Sequence, residues 1–276
     1  MKKLILLIVP LFFACQKEPS VQSGSIKNKS ETTLNPSEFD YIGIRHNSIL
    51  DSIYHSLASN SANFTLAQAL NKSKQITDSE INYVTPLNAD GEAYIGTRMN
   101  LVVDFFNDDN EHLPETGMYN EEMESSAELK SLLDDLNQVY LDIEDNGNLP
   151  LQDVLQDIYS LENHAADILT SDSELFIFYI YSRISVHSLS YWHENLTKWE
   201  TSFGGNNKVS GPYGISWGNA AKSDAVSAGV GAVHLAVSGT GAAMLAGGPA
   251  GWVGIGAVVV AEGIIGSASS ILVDLW

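Results

Sequence analysis

Residues 171–200, "SDSELFIFYIYSRISVHSLSYWHENLTKWE", decide the fold class of this 276-residue chain. Ser171 followed three residues on by Glu174 has the form of a helix cap, in which side-chain oxygens satisfy N–H groups that the first turn leaves free. From Leu175 to Ser182 the sequence "LFIFYIYS" is then apolar nearly all round. A helix with no polar face belongs at the centre of a core, surrounded by other helices. Further along, Trp192 and Trp199 fall on one helical face, with Tyr191 beside them. Aromatic side chains at that spacing read as core, and the competing reading is a ligand platform.

Upstream, "LQDVLQDIYSLENHAADIL" (151–169) and "LKSLLDDLNQVYLDI" (129–143) repeat apolar residues at helical spacing. Asn-Gly and Pro150 in "EDNGNLP" break the chain between them, so the two helices should lie antiparallel. Ser125 and Glu128 suggest a capping box for the earlier one. Nearer the N-terminus, Ile42, His46, Ile49, Leu50, Ile53 and Leu57 share one helical face. Gly43 inside that run costs on the order of 1 kcal/mol relative to Ala, which implies a close packing contact. A further helical stretch is expected over 91–106, followed by a polar, acidic loop over 107–126. No segment shows strand alternation. The expected body, residues 38–205, is an all-α irregular helical bundle.

Downstream the chemistry changes. A Gly/Pro/Asn-rich connection is placed at 206–218, and 219–276 then read as a glycine-zipper hairpin. Between Asp224 and Glu262 there is no Asp, Glu, Lys or Arg over 37 residues. "GGPA" (247–250) splits this run into two arms. In the first, Ala225, Gly229, Ala232, Ala236, Gly239, Ala243 and Ala246 recur at steps of four and three, and in the second Gly256, Val260, Gly263, Ser267 and Ser270 do the same. Small residues at that spacing let helix backbones approach closely, so the expected fold is a small-residue-rich antiparallel helical hairpin with these stripes inward. Each arm is long enough to cross a bilayer at ~1.5 Å per residue. His234 and Glu262 fall at the same mid-arm depth and point away from the stripes, which favours a hairpin at least partly covered by protein.

The chain carries 34 acidic residues against 14 basic ones, a formal net charge of −20. Such a chain cannot neutralise phosphates, which excludes nucleic acid as a partner. Lys2 and Lys3 precede "LILLIVPLFFA" (4–14), an apolar run too short to span a ~30 Å hydrocarbon core. Directly behind it stands Cys15, the one cysteine of the chain. Residues 1–14 therefore read as a lipoprotein signal peptide and 15–37 as a flexible tether, with Cys15 acylated. Several acyl chains at roughly 0.8 kcal/mol per buried CH₂ suffice for a stable membrane anchor.

Motifs that carry chemistry are sparse. "GISWG" (214–218) satisfies G-x-S-x-G, but no strand precedes it to build a nucleophile elbow, so a glycine hinge is expected. "DIEDNGNLPLQD" (142–153) is close to an EF-hand loop, with Asp142, Glu144, Asn146 and Asp153 as calcium candidates. The bulky Glu at the third place, the short Asp at the twelfth and the lack of a second loop favour a plain helix–turn–helix. The seven histidines show no metal spacing, and "HENLT" (193–197) lacks the second histidine of H-E-x-x-H. No P-loop or dinucleotide fingerprint occurs. Neither an enzyme nor a cofactor is expected.

"FDYIGIRHNSILD" (39–51), the "SYW…W" helix (190–199), "WGNAAKSDAVSAG" (217–229) and the "CQKEPS" tag at 15–20 together resemble poorly characterised Bacteroidota-type surface lipoproteins. The "LFFAC" sequence (11–15) likewise resembles a bacterial lipobox. The resemblance implies a helical, exported, non-enzymatic protein on the outer membrane, with membrane lipid engaged through Cys15. It supplies no catalytic residues. The expected partners are an envelope protein or a second copy of the chain. The C-terminal segment also looks, more loosely, like glycine-zipper stretches of membrane-active bacteriocins, so a pore-forming effector is the alternative function, followed by a calcium-binding helical module.

Overall fold

The computed structural model describes residues 34–59, 64–84, 125–146, 149–203, 216–237 and 249–275. The protein is all-α. Among the described residues a 3-10 turn at Pro36–Phe39 leads into α1 (Asp40–Ala58), α2 (Leu66–Val84), α3 (Ala127–Asp145), α4 (Leu151–Ile168), α5 (Asp172–Phe203), α6 (Trp217–Val237) and α7 (Pro249–Leu275), with no strand. The stretches 91–106 and 107–124 lie outside the described residues.

Helix α5 is the axis. Every side chain from Leu175 to Val186 is buried, as an all-round apolar sequence requires. It packs against α1, α4 and α6 most extensively, and against α3 and α7 as well. Its start is fastened twice. The Ser171 hydroxyl accepts from the Glu174 N–H at 3.4 Å, while the Glu174 carboxylate accepts from the Ser126 N–H at 2.7 Å and the Ser126 hydroxyl at 3.0 Å. Ser126 is also the cap of α3, its hydroxyl accepting from the Leu129 N–H at 3.1 Å. The α3 cap thus sits one residue later than Ser125, and its carboxylate partner comes from another helix rather than from Glu128.

Helices α3 and α4 are joined by a short turn. The α3 stripe Leu129, Leu132, Leu133, Leu136, Tyr140 and Ile143 is buried, and on α4 Val154, Ile158, Glu162 and Ala165 are. Helix α2 has no counterpart in the periodicity described above, and the reason is chemical. Two of its buried positions are Ser73 and Thr77, whose hydroxyls donate to the carbonyls of Ala69 and Ser73, both at 2.9 Å. Back-bonding hides these polar groups from solvent while erasing the apolar signal. The Thr65–Gln68 capping box, with bonds of 2.9 and 3.3 Å, is the sequence cue that marks its start.

At the C-terminal end α6 and α7 make the most extensive helix pair of the molecule's described residues. A Cβ on Gly266 would meet Ser227, one on Gly263 would meet Ala228, and one on Gly231 would meet Glu262. The α7 numbers fall as the α6 numbers rise, so the pair is antiparallel. It does not stand apart: α7 packs on α2, α1 and α5, α6 packs on α5 and α3, and the chain from Thr32 onward forms one compact unit. Among the described residues no helix is long and apolar enough to cross a membrane.

Candidate functional site

Asp224 is the sole carboxylate of α6, and it is fully buried. One oxygen, Oδ2, accepts from the Trp192 indole N–H at 2.8 Å and from the Ser188 hydroxyl. These donors stand four residues apart on α5, the helical spacing that puts two side chains on one face. The other oxygen, Oδ1, lies 3.2 Å from Nε2 of His46 on α1. That approach is a charge pair, off the angle of a hydrogen bond, and neither atom has another hydrogen-bond partner among the described residues. From α7, Gly263 closes the node: a Cβ there would stand 3.3 Å from the His46 ring and from the Asp224 carbonyl oxygen.

The charge of His46 follows from its neighbours. The Asn47 amide donates to the His187 carbonyl at 2.9 Å, which fixes its orientation and turns its oxygen toward His46 Nδ1, 3.0 Å away. An amide oxygen only accepts, so Nδ1 carries a proton. Nε2 faces a carboxylate and needs one too. Burial alone pulls the imidazole pKa down, but the Asp224 charge and the Asp224 and Asn47 contacts outweigh it, and the net shift is upward.

A second node lies on the opposite flank of α5. Arg183 reaches the buried Glu162 carboxylate of α4 with one nitrogen and Asp40 of α1, at 3.3 Å, with another. Ser182 donates to Glu162 at 2.6 Å, and the His187 ring stands 3.1 Å from the same Asp40 oxygen. The guanidinium lies over the Tyr159 ring at 5.3 Å. Burial pushes the Glu162 carboxyl above the usual carboxylate range, against the pull of Ser182 and Arg183. Glu162 occupies a place in an otherwise apolar α4 stripe, which is why an arginine must meet it.

Neither node forms a serine–histidine pair: Ser188 donates to Asp224 rather than to His46, and Nδ1 of His46 is taken by Asn47. What the Asp224 node can do is bind four helices together through a buried charge. No protein family, curated protein or solved structure matches the chain.

The residues singled out from the sequence are distributed as follows. Asp142 accepts from Gln138 at 2.7 Å, Glu144 lies 4.0 Å from Lys222, Asn146 ends α3, and Asp153 belongs to the first turn of α4. Asp142 and Glu144 ride on the helix about 200° apart and so diverge. Ser216 spends its hydroxyl capping α6, accepting from the Asn219 N–H at 3.0 Å. Of the small residues, Ala225 and Ala232 are buried, Gly229 faces Tyr181 of α5, and Gly256 faces Tyr41 and Ile42 of α1. The described α6–α7 seam runs one residue round, through Asp224, Ser227, Ala228 and Gly231. Ala236 lies within α6, and Ser267 and Ser270 lie within α7. Cys15, Gly239, Ala243 and the first half of the "GGPA" turn lie outside the described residues. The available cues to the node were His46 on an apolar face, Ser188 and Trp192 at a four-residue step, and a lone acid at the edge of a charge-free run.

Proposed function

We propose that this chain is a lipid-anchored protein of the bacterial outer membrane that acts by binding, not by catalysis. The observation that carries the proposal is "LFFAC" at 11–15, an acylatable cysteine directly behind a short apolar run with Lys2 and Lys3 before it. Behind the cysteine a polar tether leads to a compact helical unit. Two further features support a binding role. The polar groups that resemble catalytic machinery are buried and engaged with one another, and α3 and α4 present Asp134, Asp135, Asp145, Asp157 and Asp167 to solvent. Exposed carboxylates repel anionic lipid headgroups and attract a cationic protein partner. An envelope protein or a second copy of the chain, meeting them with its basic groups, is the partner class this supports.

Fractionation of cells expressing Cys15→Ser tests the anchor. The variant should leave the membrane fraction or remain unprocessed, and equal processing and membrane retention would overturn the proposal. The charge-free run over 225–261 is the feature that favours a pore-forming effector instead. Leakage of a dye from liposomes, driven at neutral pH by the non-lipidated protein and lost in Gly256→Leu/Gly263→Leu, would put that function first.

A further inference from the structure

We propose that the His46–Asp224 pair is a base-sensitive clasp that holds the C-terminal helices α6 and α7 on the body and loosens when the imidazolium loses its proton. The proposal goes beyond the lipid-anchor reading and does not depend on it. Its basis is geometric. His46 belongs to α1 and Asp224 to α6, both side chains are fully buried, and a Cβ on Gly263 of α7 would stand 3.3 Å from the His46 ring and from the Asp224 backbone carbonyl. Asn47, locked by the His187 carbonyl, and Asp224 both demand a proton from the imidazole. Deprotonation would leave either Asn47 or Asp224 facing a lone pair, and the buried carboxylate without its countercharge.

The remaining groups around the pair do not replace that charge. Ser188 and Trp192 of α5 are neutral donors. Tyr191 of α5 and Tyr140 of α3 feel the Asp224 charge, and burial pushes both phenols far enough up to keep them neutral. His187 of α5 directs its ring to Asp40, away from the node. Glu162 and Arg183 are engaged with each other. On α7, Glu262 adjoins Gly263 and lies against Gly231, adding an acid rather than a base to the seam.

The sign follows from linkage. A histidine whose folded-state pKa lies above its unfolded value of about 6.5 stabilises fully below that pH, and the contribution drains away as pH rises through the folded value. Within that window the opening equilibrium should rise about tenfold per pH unit, then level off. The test uses the chain lacking residues 1–15, labelled for histidine nitrogen NMR, with His46 assigned by single replacement of the other histidines. His46 should hold protons on both ring nitrogens up to its unfolded value of about 6.5 and lose one only above it. Hydrogen-exchange protection factors of α6 and α7, corrected for intrinsic rates, should fall as His46 titrates while those of α3 and α4 hold. Asp224→Asn keeps the acceptor but removes the charge, so its α6 and α7 protection should be lower and independent of pH across the window. A His46 that loses its proton below the ordinary histidine value of about 6.5, or protection of α6 and α7 that ignores its titration, overturns the clasp. Because both readouts come from the wild-type chain, the outcome stands even if Asp224→Asn does not fold.

Discussion

At the scale of single residues, three glycines show how the same substitution draws different responses. A Cβ on Gly229 would lie 1.7 Å from the Tyr181 ring, and Tyr181 is fully buried on α5. At Gly43 the obstacle is His187, its ring at 2.4 Å and its Cβ at 2.6 Å, a milder overlap than at Gly229 but one that turning the ring alone does not relieve. At Gly263 three neighbours stand at 3.3 Å, close enough to be felt yet near ordinary contact. Replacing a helical glycine by alanine gains about 1 kcal/mol of helix propensity, whereas forcing a group into a packed core costs typically 1–3 kcal/mol. Gly229→Ala should therefore be destabilising by about 2 kcal/mol or more, and Gly43→Ala by less. Thermal unfolding of the two variants measures the order, and Tyr181→Leu should rescue much of the Gly229→Ala loss. An unchanged melting temperature for Gly229→Ala would show that α5 and α6 are not in this register. The contact implied by Gly43 was legible in the sequence, since a glycine inside an apolar helical face has few other reasons to be there. The partner, His187, was not, because nothing local links residues so far apart in the chain.

At the scale of elements, the α3–α4 turn separates sequence likeness from geometry. The twelve-residue stretch Asp142–Asp153 has oxygen-bearing residues at most of the places an EF-hand loop uses. Calcium needs those oxygens to converge on one point. Here α3 continues to Asp145, so Asp142 and Glu144 leave the helix on different sides, and Asp142 already holds Gln138. Isothermal titration of the chain lacking residues 1–15 should show no micromolar calcium site. Such a site, abolished by Asp142→Ala, would mean that α3 unwinds by a turn to bind. Helix α2 teaches the opposite lesson. Its buried face carries Ser73 and Thr77 among the apolar groups, so hydrophobic periodicity understates a helix that its capping residues, Thr65 and Gln68, announce.

At the scale of the whole molecule, the C-terminal helices are part of the core. Helix α6 covers the flank of α5 that holds Ser188 and Trp192, and α7 lies across α1 and α2. Ending the chain at residue 205 would bare that flank and leave both donors without their carboxylate. The truncated chain should be insoluble, or bind apolar dyes and melt without cooperativity, and a soluble, cooperatively melting fragment would show that the body folds alone. The all-α class and the central helix α5 were legible in local composition and periodicity, because helical spacing and an all-round apolar run constrain structure over a few turns. Which helix each small residue meets was decided only in three dimensions. Between neighbouring positions on α6 the facing direction turns by about 100°, so a stripe of Ala225, Gly229 and Ala232 and one of Asp224, Ala228 and Gly231 serve different partners, and periodicity by itself does not say which. The charged nodes belong to tertiary structure for the same reason. A carboxylate in an apolar arm is tolerable only where His46, Ser188 and Trp192 arrive from two other helices, and those arrivals are set by packing over the whole chain.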